Sequence, residues 1–364
     1  MKKIGIIGAG QLGQMLGFAG QNLGLEFVFL DPSPAPPAAA VGPVIGLPFD
    51  SDDGLRQLAG SVDVVTYEFE NVPVSAIERI SADVVVYPPP AALRYAQDRR
   101  NEKQLFESLQ IPVAPYRLID SEEGLRGAVK DIGLPLVLKT RRLGYDGKGQ
   151  AVVRNEADIS NALAALGGSK LIAEQWVPFD REVSAIGVRN VRGDVAVYPL
   201  IENQHSEGIL NISRAPVEAN GLDALARRHL EKLLSHLDYV GVLTIEFFVI
   251  GDELLANEFA PRVHNSGHWT IEGASTSQFE NHLRAILDLP LGGVAAVGHA
   301  AMLNLIGSMP SQDLELELAS DSAFLHDYGK EPRPGRKLGH ITIVASDAAG
   351  RERAITRLNE MLVA

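Results

Sequence analysis

The 364-residue chain has no cysteine. That excludes a disulfide framework, a zinc–thiolate site and a cysteine nucleophile, and it fits a reducing, cytoplasmic setting. Positive charge is also scarce: 33 Lys and Arg stand against 46 Asp and Glu, a formal net charge of −13. This balance argues against nucleic acid or an anionic membrane as a partner, so an anionic substrate has to be gripped by local basic groups. No run reaches the roughly eighteen apolar residues that would span a bilayer. The start, Met1-Lys2-Lys3 followed by IGIIGAG, superficially imitates a signal peptide, but glycines with Gln11 and Gln14 interrupt it, and a buried first strand is the better reading. What is present, 46% hydrophobic against 22% charged residues, is globular, and the length suggests two or three domains.

Residues 4–7 and 25–31 read as strands flanking a helix, with Gly8, Gly10 and Gly13 in G-x-G-x-x-G spacing. The geometry predicts an anion site at the backbone N–H groups of Gln11, Leu12 and Gly13. An NAD site with Asp31 on the ribose is the rival, disfavoured by the proline-rich DPSPAPP that follows. A strand at 62–66 leads to Glu68 and Glu70 at the ligand edge of an open sheet, then come a helix at 74–80, a strand at 84–87 and three prolines. A helix over 91–109 carries Asp98, Arg99, Arg100 and Lys103, a cluster that charge patterning reads as a solvated face.

The middle of the chain has the shape of a small α/β lid, with strands at 136–140, 151–153 and 171–175. Lys139 sits on the first, and the glycine-rich loop GYDGKGQ (144–150), carrying Lys148, suits close approach to phosphate. Trp176 and Phe179 read as core aromatics. Strands at 183–189 and 195–200 and a helix at 221–236 lead to Thr244–Trp269, a hairpin. If its loop centres on Asp252, Glu246 faces Glu258. Opposed like charges destabilise a sheet unless a cation lies between them, and carboxylates suit Mg²⁺ or Mn²⁺. Phe248, Ile250, Leu254 and Ala256 are expected to make that face apolar, and Arg262, His264, Asn265, Ser266 and His268 crowd the loop that follows. A helix at 272–287 and a strand at 299–306 come next. Lys330, Arg333, Arg336 and Lys337 then concentrate positive charge in a candidate phosphate clamp.

The run NEFAPRVHNSGHWT resembles the metal-binding end of ATP-grasp carboxylate–amine ligases. With GAGQLG, TYEFENVP, GYDGKGQ and RPGRKLGH in the same order, the whole chain is similar to the N5-carboxyaminoimidazole ribonucleotide synthetases of that superfamily. The resemblance implies an α/β protein: a Rossmann-like substrate domain (1–98), an ATP-grasp domain (99–298, lid about 110–172) and a small, mainly β C-terminal domain (299–364) closing on substrate phosphate. It implies ATP with Mg²⁺, carboxylation of 5-aminoimidazole ribonucleotide by bicarbonate through carboxyphosphate, and a homodimer. ATP would meet Arg99, Lys139, the loop Gly144, Tyr145, Asp146, Gly147, Lys148, Gly149 and Gln150, then Glu174, Gln175, Trp176 and Val177 around adenine, Glu182 on the ribose, His205, Asn257 and Glu258. The ribonucleotide would meet Gly10, Gln11, Leu12, Glu70, Tyr145, Asp146, Lys330, Arg333, Arg336 and Lys337. Arg262, His264, Asn265 and Lys330 would serve the carboxyphosphate chemistry, with Asp146 as proton acceptor. Gln14 stands where the family commonly has arginine, and Arg214 has no assigned role. Rivals are a biotin-carboxylase-like or formate-using ATP-grasp ligase, an NAD-dependent oxidoreductase, and a non-catalytic nucleotide sensor.

Overall fold

The computed structural model describes residues 1–144, 147–311 and 323–363. Its first sheet is parallel, in the spatial order Val44–Ile45, Glu26–Leu30, Lys3–Ile7, Val64–Tyr67. Ile4, Ile6, Ile7 and Phe29 are fully buried, as expected of strands covered on both faces. The expected strand at 84–87 reduces to one bridge, Val65 to Val86. The expected helix at 91–109 breaks into Pro90–Ala96 and Arg99–Ser108. Asp98 causes the break: it turns extended, and its side chain caps the second helix by accepting from the Arg100 N–H at 3.0 Å.

The lid is an antiparallel sheet in the order Tyr116–Ile119, Leu171–Gln175, Leu136–Thr140, Gln150–Val153. The helices Glu122–Ile132 and Asp158–Leu166 supply Leu125, Ala128, Ile159 and Ala162 to its core.

The third sheet holds nine strands and carries the hairpin Gly241–Ile250/Glu253–Ala260 at one edge. The strand Arg181–Arg189 pairs with the hairpin on one side and with Ile201–Ser206 on the other. The sheet then runs on, through Ile209–Ala215, into the C-terminal strands His299–Ile306, Lys337–Ala345 and Ala323–Asp327. The strands of 201–215, not expected from the sequence, are thus the bridge between the middle and the end of the chain. Arg214 lies on that bridge and bonds Glu352 of the terminal helix Ala348–Val363 at 3.1 Å. The expected helix at 272–287 forms as Thr270–Gly273 and Gln278–Ile286, restarted by Ser277, which accepts from the Glu280 N–H. No helix among the described residues is long and apolar enough to cross a membrane.

Candidate active site

The hairpin sets the geometry. Glu246 pairs directly with Glu258, but the register shifts immediately after, so that Phe247 faces Ala256 and Asn257 is the extra residue of a β-bulge. The bulge changes which residues share the acidic face. Leu254 and Ala256 join Phe247 and Val249 in the core beneath the helix Leu222–His236, contrary to the expected apolar surround. Asn257 and Glu258 both line a cleft of about 260 Å³ between the hairpin and the lid.

Lys139, Lys148, Gly147, Gln150, Glu174, Gln175, Trp176 and Val177 line the lid side of this cleft, and Arg99, Glu182, His205 and Glu246 line the opposite side. Gly147 and Gly149 hold φ of +74° and +73°, the left-handed backbone that glycine permits. Trp176 and Phe179 are not core aromatics: they are 41% and 40% exposed, and Phe179 stacks on Phe248 at 4.8 Å, making an apolar wall for the cleft. Tyr145 and Asp146 lie outside the described residues.

Each acid in the cleft has a cationic or imidazole partner. Glu258 Oε2 accepts from Arg99 Nη1 at 3.0 Å, and Glu246 Oε1 lies 3.0 Å from His264 Nε2. Glu182 meets His205 Nδ1 at 2.7 Å, and Glu174 takes Lys139 Nζ at 3.0 Å and Lys103 Nζ at 3.5 Å. Burial alone would raise Glu246, yet the hydrogen bond and charge of His264 hold it well below the usual carboxylate range. Burial likewise opposes ionisation of Glu174, but Lys103, Lys139 and Arg99 bring it to about 2. Glu102 goes the other way, pushed up to about 8 by burial and by the neighbouring Glu258.

The donors fit a hard cation. Asn257 Oδ1 is buried with no hydrogen-bond partner among the described residues, beside two carboxylates opposed across the ladder. The described residues contain no group of three or more His, Cys, Asp or Glu able to hold a metal. Two carboxylates leave most of a coordination shell to other ligands, which suits magnesium, an ion that keeps waters and substrate phosphates around it.

A second cleft, of about 60 Å³, shares Arg99, Glu246 and Glu258 with the first and adds Glu70, Arg142, Gly144, Arg262 and His264. Arg262 Nε donates to Glu70 Oε2, and the arginine's charge lowers the Glu70 pKa even though burial pulls it up. Asn265 is not among the described residues lining either cleft. Its amide bonds reciprocally with that of Asn304, at 3.1 and 2.8 Å.

The glycine turn differs from expectation. Of the three expected N–H groups, that of Gly13 is taken by the chain's own carboxylate: Glu68 accepts from the N–H groups of Gly10 at 2.5 Å and Gly13 at 2.6 Å. A Cβ on Gly10 would stand 2.6 Å from Glu68 Oε1, so glycine is needed for this approach. Asp31 accepts from Ala9 N–H at 2.9 Å and Ser33 N–H at 2.8 Å, so it serves the turn and not a nucleotide ribose. Leu12 is partly buried, and Gln11 Oε1 accepts from Lys330 Nζ at 2.5 Å, joining the two ends of the chain. Burial and the charges of Arg336, Lys337 and Arg333 lower Lys330 to about 8. Arg333 is exposed, Arg336 donates to the Glu331 carbonyl at 3.1 Å, and Lys337 opens a strand.

Glu102 escaped the sequence reading, and Lys103, expected on a solvated face, is fully buried. They lie at the third and fourth positions after Arg99, in line with buried Phe106, so the charged stripe continues an apolar one and faces inward. That alignment was the available signal.

Comparison with known proteins follows this geometry. The ATP-grasp domain model matches residues 104–279, a ribonucleotide synthetase preATP-grasp domain residues 1–97, and a phosphoribosylaminoimidazole carboxylase C-terminal domain residues 300–354. An N5-carboxyaminoimidazole ribonucleotide synthase of Pseudomonas aeruginosa is 49% identical over 362 residues, covering 100% of both chains. That of Bacillus subtilis is 40% identical over 94% of this chain and 91% of its own. The crystal structure of the synthetase from Thermus thermophilus superposes with a TM-score of 0.94 at 51% identity, covering 99% of this chain and 98% of that one. An Aspergillus clavatus synthase in complex with ADP and 5-aminoimidazole ribonucleotide superposes with a TM-score of 0.91 at 33% identity, with the same coverage, 99% and 98%.

Proposed function

The chain belongs to the N5-carboxyaminoimidazole ribonucleotide synthase family of ATP-grasp ligases, and from that premise we infer how its site works. It joins 5-aminoimidazole ribonucleotide to bicarbonate using ATP, giving N5-carboxyaminoimidazole ribonucleotide, ADP and phosphate in purine biosynthesis. Bicarbonate is a poor electrophile because hydroxide leaves badly, so one of its oxygens first takes the γ-phosphoryl group. The amine then attacks the carbonyl carbon of carboxyphosphate: the C–N bond forms, the C–O bond to phosphate breaks, and the amine gives up a proton.

We assign ATP to the larger cleft, with adenine along Glu174–Val177 and the ribose near Glu182 and His205. Lys139, Lys148 and Arg99 then face the phosphates, where positioning and charge neutralisation are most of the catalysis. Glu246 and Glu258, with Asn257 beside them, would hold Mg²⁺; when bound, that ion neutralises β- and γ-phosphate oxygens. Arg262 and His264 face the smaller cleft, where bicarbonate and carboxyphosphate belong. Asn265, locked to Asn304, fixes the loop carrying His264. Glu70, Gln11 and Lys330 are assigned to the ribonucleotide, with Arg333, Arg336 and Lys337 following Lys330 on its phosphate side. Tyr145 and Asp146 keep their place in the reading as groups that meet the amine. A cytoplasmic homodimer completes it.

The observation that carries these assignments is the pair of opposed carboxylates at the junction of two clefts, since the shared wall is where a phosphoryl group has to pass from one reactant to the other. The test is ADP release with each reactant left out in turn. Full turnover should require both bicarbonate and the ribonucleotide; release that ignores the ribonucleotide would point to another ATP-grasp ligase.

A further inference from the structure

The helix Arg99–Ser108 packs behind the hairpin and meets four consecutive residues of its second strand. Lys103, fully buried, donates from Nζ to the carbonyls of Ala256 at 3.3 Å and Asn257 at 2.9 Å. Glu102, 2% exposed, accepts the N–H of Phe259 at 2.7 Å, and Arg99 donates to the Glu258 carboxylate at 3.0 Å. Residues 256–259 therefore each have a partner on one face of one helix. They are also the residues of the bulge. Asn257, as its extra residue, leaves the regular ladder, and its partly buried carbonyl takes a donor from elsewhere. Lys103 Nζ supplies that donor and also lies 3.5 Å from Glu174 Oε2, the carboxylate that holds Lys139.

We propose that Glu102 and Lys103 are positioning residues: they hold the bulge in the register that aims both Asn257 and Glu258 into the cleft, and Lys103 ties that hairpin to the lid lysine through Glu174. The proposal rests on the assignment of the metal–nucleotide site to Glu246 and Glu258. The physical reason is register. A one-residue slip in a strand turns every side chain to the other face, so a strand that loses its bulge takes Glu258 away from Glu246. Regular hydrogen bonding favours the slipped ladder; donors and acceptors fixed on a neighbouring helix favour the bulged one.

Calorimetric ADP binding, with and without Mg²⁺, tests this on the full chain as wild type, Lys103→Met, Glu102→Leu and Glu102→Gln, each first shown to melt cooperatively. Magnesium should tighten ADP in the wild type, and this gain should fall about 10-fold or more in Lys103→Met and Glu102→Leu, the size of effect expected when a group supporting a metal ligand is lost. Glu102→Gln keeps an acceptor oxygen for the Phe259 N–H and should retain the gain. In Lys103→Met, kcat should fall while KM for the ribonucleotide stays near wild type. A folded Lys103→Met or Glu102→Leu with the wild-type magnesium gain overturns the proposal, as does an equal loss of metal-free and metal-dependent ADP binding. Should Lys103→Met fail to fold, the two Glu102 variants decide. A wild type whose ADP binding ignores magnesium overturns the metal assignment itself, a separate result.

Discussion

Glu174→Gln is the sharpest probe of the electrostatics, because it changes one buried charge and almost no volume. Glu174 is 2% exposed and its Oε2 lies 3.0 Å from Lys139 and 3.5 Å from Lys103. Burial raises its pKa, but the three cations around it win and bring it from 4.5 to about 2. A fall of that size, at ~1.4 kcal/mol for each pH unit, corresponds to roughly 3 kcal/mol of native-state stability. Removing one partner of a buried pair typically costs about 3–5 kcal/mol, an independent route to the same range. Lys139 sets the upper bound: burial already lowers its pKa, so without the carboxylate it sheds its proton more readily and relieves part of the strain.

The sign is fixed by linkage. A depressed carboxylate contributes stability that is fully present above its unfolded pKa, 4.5, and lost as pH falls toward the folded value of about 2. The variant lacks that contribution, so its deficit should be largest near neutrality and shrink below pH 4.5. It should also shrink at alkaline pH, as Lys139 in the variant becomes neutral. In thermal melts at pH 7 the variant should fall about 4–6 °C below wild type. A variant that melts within about 1 °C of wild type, or a deficit that does not change between pH 7 and pH 3, would refute the argument.

Glu258→Gln should lower ADP formation by more than the roughly 100-fold that losing an outer metal partner costs, while still melting cooperatively; steady-state ADP release checks the first and calorimetry the second. Lys330 is a cation only below about 8, so calorimetric affinity for the ribonucleotide should weaken as pH rises through that value, and Lys330→Arg, charged throughout, should abolish the pH dependence. Gly10→Ala places a Cβ 2.6 Å from Glu68 Oε1 and should destabilise the first domain by about 1–3 kcal/mol, read by urea unfolding. Arg214→Met breaks an ion pair whose Glu352 side chain is 47% exposed, so a change under about 1 kcal/mol with unaltered turnover is expected.

Much of the architecture was legible because it rests on local patterning. Short continuous apolar runs placed the strands at Leu136–Thr140, Leu171–Gln175 and His299–Ile306 where they form. The pairing of Glu246 with Glu258 was legible for a less secure reason. Counting from Asp252 gives the right opposition only because the bulge at Asn257 absorbs the residue by which the turn itself is offset; the same count assigned Leu254 and Ala256 to the wrong face. Bulges depend on what lies behind the strand, and a helix some 150 residues away in sequence supplies that here. Long-range partnership also explains the glycine turn. Gly8, Gly10 and Gly13 pointed to a site for negative charge, but nothing local reveals that Glu68, 58 residues on from Gly10, accepts two of the turn's N–H groups. Trp176 and Phe179 were misplaced because apolar content alone cannot separate a core from the wall of a ligand slot.

Among the described residues, Glu70, Glu246 and Glu258 at the junction of the clefts are each paired with a basic side chain, which bears on how charged reactants can enter. A cleft holding unpaired lysines and arginines would bind phosphate strongly but would bear large self-repulsion when empty. A cleft in which Glu258 holds Arg99, Glu246 holds His264 and Glu70 holds Arg262 avoids that cost, and each basic group is already aimed by a neighbouring carboxylate. The carboxylates at 246 and 258 are also the groups that suit a hard divalent ion. On the proposed assignment, a divalent cation held by Glu246 and Glu258 would compete with Arg99 and His264 for those carboxylates and free both basic side chains, so that cation and nucleotide would reinforce each other. Phosphate without a cation has to take Arg99 from Glu258 and leave that carboxylate uncompensated. If Glu246 and Glu258 hold the cation as proposed, the preference for a metal-bound nucleotide would be set as much by these ion pairs as by the metal ligands, with Arg99 the cation that Glu258 gives up.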